Sequence, residues 1–154
     1  MINQNQNKMK QDLVVKKKVT IKADPSKVWD ALTKPEFTKK YFFDCEVFSD
    51  WKEGSPIVFK DAKKGKEMVK GKIVKIEPRS LLQYTVLNSE SGSADNPSNF
   101  SLVTDKLSYH DGETTLSITD DIGKAEGAAE RYNKSDKGWD SVLKGLKELL
   151  ENPN

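Results

Sequence analysis

The side chains able to do covalent or acid–base chemistry are few: the chain has one histidine and one cysteine. His110 precedes Asp111-Gly112, a pair that reads as a hairpin tip. A general base needs a pocket and an orienting partner, so a solvated turn histidine is expected there. Cys45 follows Asp44 in a strand-like segment with no evident base for a nucleophile, and is expected to pack as a small hydrophobe. One His and one Cys cannot build a zinc site of the usual ligands. Asp120 and Asp121 are sequence neighbours, and in a strand they would point to opposite faces. Glu126 and Glu130, at i and i+4, share a face if both are helical, where they would complement the helix dipole. No Gly-rich phosphate loop or dinucleotide fingerprint occurs. The reading therefore assigns no catalytic residue, no metal site and no cofactor.

Binding chemistry is better represented. Trp29, Tyr41, Phe43, Phe59, Tyr84, Phe100, Tyr132 and Trp139, with Val142 and Leu143, are the candidates for the wall of an apolar cavity. The three tyrosines pair an apolar body with a polar tip, as an orienting group in such a cavity would. Plain core packing is the competing role for Trp29 and Trp139, because large aromatics dominate small cores.

Whether these side chains meet depends on the elements that carry them. Leu13, Val15, Val19 and Ile21 alternate with polar residues, the pattern of a strand with one buried face. Asp24 then caps a helix opening at Pro25, with Val28, Trp29 and Leu32 on its apolar side. Lys34-Pro35 ends that helix and begins another, bearing Phe37 and Tyr41 at i and i+4. Strand candidates follow at Phe43–Phe48, Pro56–Lys60, Met68–Glu77, Leu82–Leu87, Phe100–Tyr109 and Glu113–Asp120, separated by short turns that imply antiparallel neighbours. The apolar phase slips between Ile73 and Val74, which predicts a bulge. Ser89–Asn99 is polar and longer than a hairpin needs. From about Ala125 to Glu151 the period returns to 3.6, with Trp139, Val142, Leu143, Leu146, Leu149 and Leu150 in one stripe. Gly127, Gly138 and Gly145 weaken that helix by ~1 kcal/mol each, and close approach of helix to sheet is the expected reason for them. The economical way to bury both apolar faces is one long helix in the concave face of a bent antiparallel sheet, an α+β helix-grip arrangement.

Composition sets the remaining bounds. At 154 residues the chain is expected to hold one domain over 12–154 behind a disordered Asn/Gln/Lys-rich tail at 1–11. Charged residues make up 32% and hydrophobic ones 35%, so the surface must be heavily charged. No apolar run approaches the ~18 residues of a membrane span, and the first residues lack the apolar segment of a secretory signal. A single cysteine allows no internal disulfide, which fits the cytoplasm. The basic residues are 24 Lys and only 2 Arg, and Arg is the residue suited to bidentate phosphate recognition. Lys66, Lys70, Lys72 and Lys75 alternate with apolar residues as the wet side of a strand. A solvated surface, with no nucleic-acid partner and no membrane insertion, is the reading.

Ala23-Asp-Pro-Ser-Lys-Val-Trp-Asp-Ala-Leu-Thr33 resembles the opening motif of the START-like (SRPBCC) superfamily. Glu36-Phe37 with Tyr41-Phe42 is similar to its branch homologous to the heat-shock-protein-90 ATPase activator, where the Tyr41 position is commonly Trp. Trp51-Lys-Glu-Gly54, Lys70-Gly71 through Pro78 with Leu81-Leu82-x-Tyr84, Gly112 through Leu116, and Gly138-Trp139-x-x-x-Leu143-x-x-Leu146 extend the likeness from about Leu13 to Glu151. The resemblance implies a curved sheet of about six to seven strands around the C-terminal helix, with two short helices after the first strand. It also implies a cavity mouth between the second short helix, the Ser89–Asn99 loop and the long helix. The helix-grip order, the many aromatics and the lack of an acid–base set lead to the expectation of a cavity that binds a small apolar or amphipathic molecule without chemistry. Alternatives are a chaperone-associated stress protein or a cyclase- or hydrolase-like enzyme.

Overall fold

The computed structural model describes residues 13–88 and 99–152. The expected tail over 1–11 and residues 89–98 of the polar loop lie outside them. The element order is β1 (Leu13–Ile21), α1 (Pro25–Thr33), α2 (Pro35–Tyr41), β2 (Cys45–Ser49), β3 (Pro56–Asp61), β4 (Glu67–Glu77), β5 (Leu81–Asn88), β6 (Ser101–His110), β7 (Glu113–Gly123) and α3 (Ala128–Glu151). The strands form one antiparallel sheet in the order β1-β7-β6-β5-β4-β3-β2. Consecutive strands from β2 to β7 are neighbours, as short connections require, and β1 closes the far side against β7. The helix-grip arrangement read from the periodicity is the one observed.

Local chemistry explains the joints. Asp24 occupies the N-cap of α1 in extended conformation, but its side chain makes no capping bond. Pro35 sits at the first position of α2, and Lys34 between the helices is extended, as the residue before a proline must be. Asp111 and Gly112 join β6 to β7 with φ of 49° and 81°, the two positive values of a type I′ hairpin turn. The β4/β5 register shifts between Ile73 and Lys75, where the apolar phase slips. Gly71 lies next to this irregularity, and a Cβ there would stand 1.6 Å from the Thr85 carbonyl oxygen. The strands approach so closely that only glycine fits.

Three boundaries differ from the pattern by two residues or more. The second strand begins at Cys45 rather than Phe43, because Phe43 and Asp44 turn the chain with φ of 50° and 58°. The long helix begins at Ala128 rather than near Ala125, since Gly127 at its N-cap has φ 85°. Glu126 therefore precedes the helix, and only Glu130 lies in its first turn. The third difference is at β7, which runs on to Gly123. Glycine placement also differs from expectation. A Cβ at Gly145 would meet Tyr41 Cβ at 3.0 Å, and one at Gly138 would meet the Phe43 ring at 3.4 Å. The close approach is thus of α3 to α2 and the turn after it, not to the sheet.

The buried face of α3 (Trp139, Val142, Leu143 and Leu146) lies over the inward rows of the sheet. Lys17 shares the inward phase of β1 with Val15 and Ile21, where an unpaired charge would be costly. Its ammonium is 2.8 Å from Asp136 and 2.9 Å from Asp140, one turn apart on α3. At the helix end, Lys147 donates to the Thr20 carbonyl at 2.6 Å, and Glu151 accepts from the Lys22 backbone N–H at 2.8 Å. Thr38 Oγ accepts from the Val47 N–H, tying α2 to β2, and Thr114 Oγ donates to the Ala23 carbonyl just beyond the end of β1.

Candidate ligand-binding site

Strand alternation decides what the sheet presents to the helix. On β7 the inward row is Thr114, Leu116, Ile118, Asp120 and Ile122, every one buried. On β6 it includes Val103 and Asp105. Two carboxyl groups therefore stand in rows that are otherwise mostly apolar. The pairing of Val103 with Asp120 and of Asp105 with Ile118 places them two positions apart on adjacent strands.

Between these rows, α3 and the turn after α2 lies an open cavity of about 610 Å³. Its apolar wall is Phe42, Phe43, Val69, Val86, Leu87, Ile122, Trp139 and Val142. Its polar wall includes Ser101, Asp120, Glu126, Glu130, Arg131, Lys134 and Ser135. A second space of about 20 Å³, the size of one water molecule, lies deeper among Tyr41, Phe59, Tyr84, Asp105, Leu143 and Leu146. Phe42, Trp139 and Val142 border both. Phe42 is the hub of this partition. It stacks on Phe59 at 4.7 Å between ring centroids and meets Trp139 edge-on at 6.0 Å and Phe43 at 5.5 Å.

The two buried carboxyls have different surroundings. Asp120 Oδ2 accepts from Ser135 Oγ at 2.5 Å and from the Trp139 indole N–H at 3.0 Å. Asp120 Oδ1 has no hydrogen-bond partner among the described residues, and neither do Asp105 Oδ1 and Arg131 Nη2. Burial, with the nearby Asp120 adding to it, pushes the Asp105 carboxyl up to about 8. It is therefore held protonated at neutral pH. Burial and the same Asp105 push the Tyr84 hydroxyl well above its ordinary value.

The candidates from sequence are divided by the fold. Phe43, Trp139 and Val142 line the large cavity, and Phe43 stands 60% exposed at its edge. Tyr41, Phe59, Tyr84 and Leu143 border only the inner void. Trp29 and Tyr132 pack half-buried against the core, and Phe100 is half-buried just before β6. None of these three lines either space. Tyr41 is committed elsewhere, because its hydroxyl donates to the Ala31 carbonyl at 2.6 Å. That carbonyl would ordinarily accept from the N–H four residues on, but the residue there is Pro35, which has none. Tyr41 is thus a helix C-terminal cap rather than an orienting group in the cavity.

Phe42, Asp105, Asp120, Arg131 and Ser135 were not singled out for the cavity by the sequence. For the two acids a signal was present: each sits in the apolar phase of an alternating strand. Cys45 is buried, its thiol 3.5 Å from the Phe43 carbonyl and pushed up by burial. His110 is exposed at the hairpin tip, 3.0 Å from Asp111. Among the described residues, no three His, Cys, Asp or Glu side chains are grouped to hold a metal ion. Nor is any helix among them long and apolar enough to cross a membrane.

The fold has solved counterparts. The ChR145 protein from Cytophaga hutchinsonii is 39% identical, with 92% of this chain covering 95% of that one at a TM-score of 0.73. Protein MLL2253 from Mesorhizobium loti matches at 22% identity and TM-score 0.75, over 92% of this chain and 99% of that one. The Aha1 dimer structure from Colwellia psychrerythraea matches at 20% identity and TM-score 0.72, over 91% of this chain and 97% of that one. The last two likenesses speak to fold alone. No curated protein matches the chain. The family described as Activator of Hsp90 ATPase homolog 1-like protein matches residues 22–151, nearly the whole helix-grip unit. The chain belongs to that family.

Proposed function

We propose that the protein binds a small amphipathic molecule in the cavity between the sheet and α3, without catalysing a reaction on it. The observation that carries this reading is the cavity itself. Its volume of about 610 Å³ falls in the range of ligand sites, and an aromatic and aliphatic wall faces a few fixed polar groups. Trp139, Val142 and Phe43 are the candidate contacts, with Phe42 beside them.

Native mass spectrometry of the freshly purified protein, beside its denatured mass, tests the proposal. A stoichiometric extra mass that is released on denaturation is expected. Gly138→Leu, which projects a side chain from α3 toward Phe43 at the cavity wall, should lower its occupancy. No extra mass, together with no binding across a lipid and metabolite panel, would sink the reading.

A second reading, association with the Hsp90 chaperone in the cytoplasm, is favoured by the family description. Capture of Hsp90 from cell extract at low salt supports it, and failure of purified Hsp90 to bind under the same conditions removes it.

A further inference from the structure

Among the described residues, Phe43 is the most exposed of the large apolar side chains, at 60%. Its ring stands at the edge of the cavity, against Gly138 of α3 and edge-on to Phe42. The backbone holds it there with φ 50°, a value that bulky side chains rarely adopt. Folding gains little from an aromatic placed so, because most of its surface stays in water.

Three segments bring lysines around this ring. Lys39 and Lys40 occupy the last turn of α2, just before it in the chain, and both are exposed. The Asp44 carbonyl accepts from the Ala62 N–H at 2.9 Å, which sets the β3–β4 turn, with exposed Lys63 and Lys64, beside Phe43. On α3, exposed Lys137 adjoins Gly138, and Lys134, one turn earlier, is exposed at the cavity rim. With Lys66 and Arg131, the cations outnumber the nearby acids Asp44, Asp61, Glu67, Glu126 and Glu130. Asp136 and Asp140 lie two residues either side of Gly138, on the opposite helix face, where Lys17 engages them. The cavity mouth is thus an apolar ring in a basic collar.

That combination selects among acidic partners. A stable protein interface buries about 800 Å² per side around an apolar core, and one aromatic amid lysines is a poor core. A single aromatic at headgroup level, ringed by lysines, is instead what holds a protein on an anionic bilayer. Lysine also suits diffuse attraction to such a surface, where arginine would suit paired recognition of single anionic groups. We propose that this face docks on an anionic phospholipid membrane. The protein lies on the surface without spanning it, Phe43 settles among the headgroups, and the cavity mouth faces the bilayer, where an amphipathic ligand can pass.

The test is co-sedimentation of the full chain with vesicles of phosphatidylcholine alone or with about 30% phosphatidylserine. Binding is expected only with phosphatidylserine, and about 0.5 M salt should abolish it. Lys39→Gln combined with Lys40→Gln should weaken it about thirtyfold. The same pair of changes at exposed Lys16 and Lys18 of β1, away from the mouth, should weaken it less than about threefold. Phe43→Ser should weaken it about fivefold. No binding to phosphatidylserine vesicles at low salt overturns the proposal, as does equal weakening by the two lysine pairs. Unchanged binding of Phe43→Ser also overturns it, since the face would then read acidic charge alone, as an acidic protein supplies. Each of these results leaves the cavity reading standing, which the adduct measurement above decides separately.

Discussion

Replacing Asp105 with asparagine should make the protein more stable, and increasingly so as the pH rises. Asp105 is 2% exposed, and its carboxyl is pushed from the ordinary 3.8 up to about 8. Between those values the folded protein holds a proton that the unfolded chain has released. Stability therefore falls with rising pH across this window, by about 1.4 kcal/mol per pH unit, and levels off above pH 8. From pH 5 to pH 9 the single group removes about 4 kcal/mol, a large share of a typical domain's stability. Asparagine has nearly the shape of the protonated acid and no charge to bury, so Asp105→Asn should lose this component. The assay is urea unfolding of both proteins at pH 5, 7 and 9, followed by far-ultraviolet circular dichroism. The advantage of the variant should be small at pH 5 and grow by about 4 kcal/mol by pH 9. A difference between the proteins that stays constant to within about 1 kcal/mol across that range would refute the reasoning. It would mean that Asp105 ionises in the folded state as readily as in the unfolded chain.

Other substitutions probe the remaining contacts. Gly71→Ala drives a Cβ into the Thr85 carbonyl, which no rotamer relieves, and should cost about 3 kcal/mol in urea unfolding. Tyr41→Phe leaves the buried Ala31 carbonyl unpaired and should cost about 2 kcal/mol, with ligand occupancy in native mass spectrometry unchanged. Gly138→Ala meets only the end of the exposed Phe43 ring, so the helix should gain about 1 kcal/mol. Gly145→Ala meets Tyr41 Cβ at 3.0 Å, close to its backbone, and should show no such gain when the two variants are compared in thermal melts. Equal gains at both glycines would show that α3 and α2 are not packed as tightly as described.

Much of the fold was legible because its signals are local. The turn at Asp111-Gly112 needs two residues tolerant of positive φ, and they are adjacent in sequence. The irregularity at Ile73 shows as a slip of apolar phase. The two prolines at Pro25 and Pro35 mark helix starts by what they lack. Phe43 misled for the opposite reason. Its apolar neighbours suggested a strand, and only the turn between α2 and β2 required it to take φ 50°. The cavity residues were legible in part. Trp139 and Val142 belong to a helical stripe that any reading would bury. Phe42 was hidden between Tyr41 and Phe43, and its place at the centre of the aromatic cluster follows from the direction in which α2 ends.

By itself the sequence determined the order of elements and the family, since these rest on periodicity, turn chemistry and the order of the motifs. Only the tertiary structure decided which side chains share a space. Asp105 and Asp120 are fifteen residues apart in the chain, and the β6/β7 register brings them near each other inside the sheet. Arg131 and Ser135 reach the same wall because α3 crosses over β7. A one-residue change of register would have turned both acids to solvent. The cavity, with its apolar and polar walls, is thus a product of strand pairing and helix placement, set by contacts between residues far apart in sequence.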